Sequence, residues 1–342
     1  MPSFRPGSWF RSAINGGNSA LLHLAACHIG TMELLFGKGA QIDEEKNTLL
    51  HYAAEGCFIE SVELLLEKGT PIEAVNKENK TPLHLAAAGG HAGVVDILLE
   101  KGAFIEATTQ HGGTPLHLAA MGGHPGVVDI LLNKGAFIEA VDKDSLTPLH
   151  LAAENCQAGV VDVLLGKGAS TEAATQTGHT PLHIAAEFGQ SGVVEALLKK
   201  GAPIEAATQR GSTPLHIAAQ NGHAGVVEVL VRQGASTEAM QKDNWAPLHF
   251  AAKNGHAGVI EVLVGQGASI EAAARHGTPL HIAAKNGHTR VVKLLIRQGA
   301  SIEAMNDLSE TPLQIAEKKG HTDIVKLLSS TVTKVVDHGS RA

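Results

Sequence analysis

The 342-residue sequence predicts an all-α solenoid of stacked helix-turn-helix units, and three observations carry that prediction. A seven-residue signature recurs at nearly constant spacing. Each recurrence is followed by an apolar stripe too wide for one partner to cover. Aromatic residues make up only 3% of the chain while glycine and alanine abound, which suits close helix contacts repeated many times better than one core of large side chains.

The signature reads "TLLHYAA" from Thr48, "TPLHLAA" from Thr81, Thr114 and Thr147, "TPLHIAA" from Thr180 and Thr213, "APLHFAA" from Ala246, "TPLHIAA" from Thr278 and "TPLQIAE" from Thr311. Every step is 33 residues except the step of 32 from Ala246 to Thr278, where "EAAARHGT" is one residue short. A shortened copy, "ALLHLAA", starts at Ala20. The expected organisation is an N-terminal segment over 1–18, a repeat region over 19–330 with about ten copies starting near 20, 48, 81, 114, 147, 180, 213, 246, 278 and 311, and a fraying tail over 331–342.

Within one copy the punctuation spells helix, turn, helix, turn. The Thr81 hydroxyl is suited to cap the first helix, and Pro82 takes the first helical position, where its missing N–H costs nothing. Ala86 and Ala87 let a neighbour approach closely, and Gly90 supplies a left-handed cap. The second helix, "GVVDILLEK", is apolar at Val94, Val95, Ile97, Leu98 and Leu99, so it must lie between adjacent copies. Lys101 complements its C-terminal dipole and Gly102 ends it. "AFIEATTQHGG" then crosses to the next threonine as a hairpin-like finger, with Gly112 suited to positive φ. One copy cannot bury its stripe alone, whereas stacked copies share a continuous core.

On these residues the chain is similar to the ankyrin repeat family, whose period and T-P-L-H-x-A signature are well defined. The likeness covers about residues 19 to 330. It implies an all-α ankyrin-repeat solenoid with first helices on the concave side, second helices on the convex side, and fingers projecting from one edge. It also implies protein binding through the concave face and finger tips, and a TPLH imidazole that ties one copy to the next.

The 20 histidines invite a metal or acid–base reading, but their positions argue otherwise. His23, His51, His84, His117, His150, His183, His216, His249 and His281 fill the signature slot, and His91, His124, His223, His256, His288 and His321 follow the turn glycine. A catalytic residue is needed once, beside distinct partners, whereas a residue recurring in every unit serves every unit. The structural set is therefore His84, His117, His150, His183, His216, His249 and His281. No HExxH, GxSxG or GxxxxGK[ST] motif is present. The reading is non-enzymatic, with no catalytic residue, metal or cofactor.

Glu73, Glu106, Glu139, Glu172, Glu205, Glu238, Glu271 and Glu303 form a column in "xEA". It is either an acidic ladder for a basic partner or a structural column pairing with helix-end lysines such as Lys68, Lys101, Lys134, Lys167 and Lys200.

Partner choice is expected where copies differ. After "AA" on the first helix the chain runs from Ala88 and Met121, through Glu154, Asn155, Glu187, Phe188, Gln220 and Asn221, to Lys253 and Lys285: small and apolar, then acidic, then basic. A partner with a basic and an acidic segment in matching order would complement it. The finger tips add His111, Lys143, Arg210, Lys242 and Trp245. Phe188 and Trp245 are the expected anchors, because interface hot spots favour aromatics. For Trp245 the competing reading is packing on a neighbouring finger, since the next finger is short and Ala246 replaces the capping threonine.

Composition narrows the rest. The net charge of −7 divides into nine Lys/Arg against six Asp/Glu over 281–342, which is +3, and −10 over 1–280, so general nucleic-acid binding is not expected of this body. Cys27, Cys57 and Cys156 form neither a disulfide framework nor a zinc pattern, and Cys57 and Cys156 stand where other copies have a turn glycine. No apolar run is long enough to span a bilayer, and the opening residues lack a secretory h-region. The expectation is a monomeric, cytoplasmic or nuclear scaffold, adaptor or inhibitor that binds one unidentified protein partner. The alternative is a recognition module of a larger protein. At the N-terminus, "SWFRSAI" is read as a short capping helix, or else the chain's true neighbour precedes it.

Overall fold

The computed structural model describes residues 47 to 339. The expected N-terminal segment and the shortened copy from Ala20 lie outside the described residues. All regular elements among the described residues are helices, and they fall into two compact units divided between Ala173 and Ala174.

In the first unit each copy is a pair of antiparallel helices: α1 (Leu49–Glu55) with α2 (Ile59–Glu67), α3 (Pro82–Ala88) with α4 (Ala92–Glu100), α5 (Pro115–Gly122) with α6 (Pro125–Asn133), and α7 (Pro148–Glu154) with α8 (Ala158–Gly166). First helices pack on first helices and second on second. The second unit repeats the plan with α9 (Pro181–Glu187) and α10 (Ser191–Lys199), α11 (Pro214–Asn221) and α12 (Ala224–Arg232), α13 (Pro247–Asn254) and α14 (Ala257–Gly265), α15 (Pro279–Asn286) and α16 (Thr289–Arg297), and α17 (Pro312–Lys319) and α18 (Thr322–Gly339).

Helices of seven to nine residues are too short to persist alone, so packing must hold them. Leu83, Ala86 and Ala87 on α3, and Val94, Val95 and Leu98 on α4, are all sealed from solvent. Each buried leucine or valine contributes roughly 1.5–3 kcal/mol relative to exposure. The alanines set how closely the first helices approach.

Fingers close as five-residue hairpins. The N–H of Asn76 bonds the oxygen of Lys80, Thr109 that of Gly113, Thr208 that of Ser212, and Gln241 that of Trp245. The fourth residue of each takes positive φ and is Asn79, Gly112, Gly211 or Asn244, residue types that accept the left-handed region most readily. The finger before Thr278 differs. It closes one residue earlier, with Ala274 N–H on Gly277 oxygen and the reverse bond in return, so the missing residue is absorbed in the hairpin.

Adjacent fingers are joined by one main-chain rung each: Gln110 N–H to Glu78 oxygen and Lys143 N–H to His111 oxygen in the first unit, Gln209 to Thr177 and Lys242 to Arg210 in the second. Among the described residues no such rung joins the short finger to either neighbour, neither to Asp243 nor to the finger at 306–310.

The turn cysteines keep the backbone of the glycine they replace. Cys57 and Cys156 sit at φ of 60° and 59°, exposed, in the left-handed region that costs an L-residue about 1–2 kcal/mol.

Candidate functional site

Two histidine columns fix the surface on which variable residues stand. In the signature column the ring is buried and bonds in both directions. His84 Nδ1 accepts the Thr81 main-chain N–H at 3.1 Å and meets the Thr81 hydroxyl at 2.9 Å, while Nε2 lies 3.2 Å from the oxygen of Gly113 in the next finger. Because Nδ1 accepts an N–H, the proton belongs on Nε2, which donates to that carbonyl. His117, His183, His216 and His281 repeat the arrangement toward Leu146, Ser212, Trp245 and Glu310.

Threonine caps the first helix as expected, within a box that the histidine ring closes. The hydroxyl's short contact is the histidine ring, and its bond to the third-residue amide is long, 3.4 Å at Thr147. His150 is likewise buried. Burial pushes the His84 and His183 pKa down to about 4, against weaker support from the carbonyls they bond, and it lowers His117, His216, His249 and His281 as well. The main-chain N–H accepted at Nδ1 calls for a neutral ring, and burial favours the same form.

His249 is the exception in partnership. Ala246 offers it only a main-chain N–H, at 3.1 Å, and its buried Nε2 makes no hydrogen bond: the short finger keeps the Gly277 main chain close enough to favour the charged ring but not in bonding geometry.

The second column reaches backward. His91 bonds the oxygen of Glu55, His124 that of Ala88, His223 that of Glu187, His256 that of Gln220, His288 that of Lys253 and His321 that of Lys285. Each satisfies a carbonyl left over at the end of a first helix. The main chain carrying Glu187, Gln220, Lys253 and Lys285 is thereby held while their side chains stay exposed.

The glutamate column is structural, but its partner is not lysine. Glu73, Glu106, Glu205 and Glu238 accept the main-chain N–H of Phe104, Phe137, Ser236 and Ser269 at 2.7–2.8 Å, one copy onward. Lys134 instead meets Asp96 and Glu100, and Lys167 meets Asp129. A carboxylate reaching an amide just past a helix end gains a charge-assisted bond without desolvating a lysine.

In the first unit Met121 is exposed, Asn155 turns its amide onto Leu151 oxygen, Glu154 is half-buried, and His111 and Lys143 share the finger rung. Phe104 and Phe137, about 60% exposed, stand one copy apart on the turns after α4 and α6 and were not anticipated as surface features.

The second unit gathers more. A groove of about 1090 Å³ runs between its finger tips and the ends of α11 and α13. Of the anticipated residues it is lined by Gln220, Asn221, Lys253, Arg210, Lys242 and Trp245, whereas Glu187, Phe188 and Lys285 stand outside it. Phe188 caps α9 and is 45% exposed. The groove also takes in Phe250, Arg275 and His276. Arg275 was not anticipated because the short finger falls out of register with the others, although "ARH" in "EAAARHGT" already showed a cation at a finger tip.

Trp245 is half-buried, and it packs not on a neighbouring finger but on the first helix of its own copy. Its ring meets Phe250 edge-on at 5.2 Å and His249 at 5.8 Å, and Lys253 Nζ lies 5.4 Å over it. The ring is thus packed on its own copy while its remaining side walls the groove.

Among the described residues no cluster of His, Cys, Asp or Glu could hold a metal ion, and no helix is long and apolar enough to cross a membrane.

Paired helices, projecting fingers and an open polar groove define a repeat protein that presents a surface. The family model for ankyrin repeats matches residues 22–109, 106–175, 182–274 and 248–337, and the chain belongs to that family. Among solved structures it is similar to the human ASB11 ankyrin repeat domain, at 28% identity and a TM-score of 0.59, over 64% of this chain and 98% of that one. A comparison with curated proteins finds no match. Ankyrin repeats are generally protein-interaction modules.

Proposed function

We propose that the chain is a non-enzymatic scaffold or adaptor that binds a protein partner through first-helix ends and finger tips. The observation that supports this most is the groove of the second unit, where variable residues from successive copies converge on main chain held by histidine bonds. A surface fixed before binding loses little entropy when a partner arrives. The buried signature histidines are unsuited to acid–base work, since their rings already have carbonyl and amide partners.

Affinity capture with the wild-type chain and a folded Phe188→Ala, Trp245→Ala double variant tests the reading. Partners retained by the first and lost by the second support it. Identical captures would remove those aromatics from the interface.

A further inference from the structure

The geometry points to a specific occupant of the second-unit groove: an extended, acidic peptide segment of a partner protein, about nine residues long, bound across the finger tips. This rests on the protein-binding reading above and names the chemistry of the partner.

Charge carries the argument first. The groove is lined by four cations, Arg210, Lys242, Lys253 and Arg275, and one carboxylate, Asp243, which accepts from Gln241 Nε2 at 3.3 Å. Among the described residues none of the four cations has a carboxylate within ion-pair distance. The chain as a whole has 27 Lys and Arg against 34 Asp and Glu, so outside the groove the balance is 23 against 33, or −10. A cationic slot in an acidic protein steers a short acidic segment inward. The same surroundings repel a long polyanion such as nucleic acid, which must lie along more of the surface than the slot provides.

Shape and backbone agree. Four finger tips contribute, around 177–179, 208–212, 241–245 and 275–276. At about 10 Å per copy they extend over roughly 30 Å, which an extended chain crosses in about nine residues. Between Asp243 and Arg275, as on the far side of the short finger, no main-chain rung forms, so within the groove the Asp243 oxygen and the Arg275 N–H are left for an incoming backbone. Trp245 and Phe250 wall the floor for one apolar side chain, and Lys253, seated over the indole, is held there as a charge.

A display library of random nonapeptides selected on the full chain tests this. Enriched sequences should carry three or more Asp or Glu around an apolar residue. Their affinity, read by fluorescence anisotropy, should fall at least tenfold between low and moderate salt. It should also fall at least tenfold on an Arg210→Glu, Lys242→Glu variant shown by circular dichroism to be folded. Enrichment of neutral or basic peptides, no enrichment, unchanged affinity on that variant, or displacement by a single-stranded oligonucleotide in preference to free peptide would each overturn the proposal. Neutral peptides lost on Trp245→Ala would sink the acidic ligand and leave the protein-binding groove standing. Peptides that no groove variant affects would remove both.

Discussion

His216 Nε2 donates to the main-chain oxygen of Trp245 at 2.9 Å, so a first-helix histidine sets the backbone of the finger residue whose ring walls the groove. The bond does not need the indole. Trp245→Ala is therefore expected to stay folded with a modest fall in melting temperature. His216→Ala strands the Trp245 oxygen and the Thr213 N–H and should cost more, about 2–4 kcal/mol from lost packing and unmet bonds together. Urea melts of the two variants followed by circular dichroism check the order; a costlier tryptophan change would contradict it.

Acid should unfold the chain in a defined window. Burial holds His84 and His183 near 4 while an exposed imidazole titrates near 6.5, so between those values the unfolded chain binds protons that the folded chain refuses. Stability is complete above about 6.5 and declines as pH falls toward 4. His117, His216, His249 and His281 shift the same way. Melting temperatures recorded from pH 7.5 down to pH 4.5 should drop steadily through this range; a flat profile would show that the rings are not buried as neutral groups.

The orphaned ring of His249 predicts an asymmetry. His183→Ala and His249→Ala remove the same side chain, but only His183 has a carbonyl partner at Nε2. The His249 change should be milder by about 1 kcal/mol. A glycine inserted between Ala274 and Arg275 restores the 33-residue step and the acceptor, and in that background the two substitutions should cost about the same. Equal costs before the insertion would sink the idea.

Cys57→Gly and Cys156→Gly should each raise stability by about 1 kcal/mol, because glycine adopts φ near +60° without the Cβ penalty. Glycine's greater freedom in the unfolded chain takes back part of that gain. Chemical denaturation of each variant measures the balance, and destabilisation by both would mean the cysteine side chains make contacts worth more than the strain.

Much of the fold was legible because each structural demand recurs. Pro82 at the first helical turn, Gly90 and Gly102 at the turns, and the His84 column were readable as punctuation, and all take the roles their chemistry suggests. The glutamate partners were not legible. Glu106 reaches the N–H of Phe137 only because the turn after α6 brings that amide alongside, a fact of three-dimensional path that spacing does not encode. The candidate surface was partly legible. Variation among copies pointed to Arg210, Lys242, Lys253 and Trp245, which the groove unites. Arg275 escaped because aligning copies by a 33-residue step hides the tip of the one finger that breaks the step.

The two histidine columns have a consequence for how such arrays change length. His216 reaches 29 residues forward and His223 reaches 36 residues back, so a copy that carries both histidines brings one donor for each neighbour. Duplicating or excising a whole copy leaves these accounts balanced, and no new side chain has to arise to heal the junction. Removing a single residue does not, and beside the one finger that is a residue short the Nε2 of His249 lacks the bond its counterparts make. Inheritance by whole copies is thus chemically quiet, while a slip within a copy leaves a permanent and locatable scar.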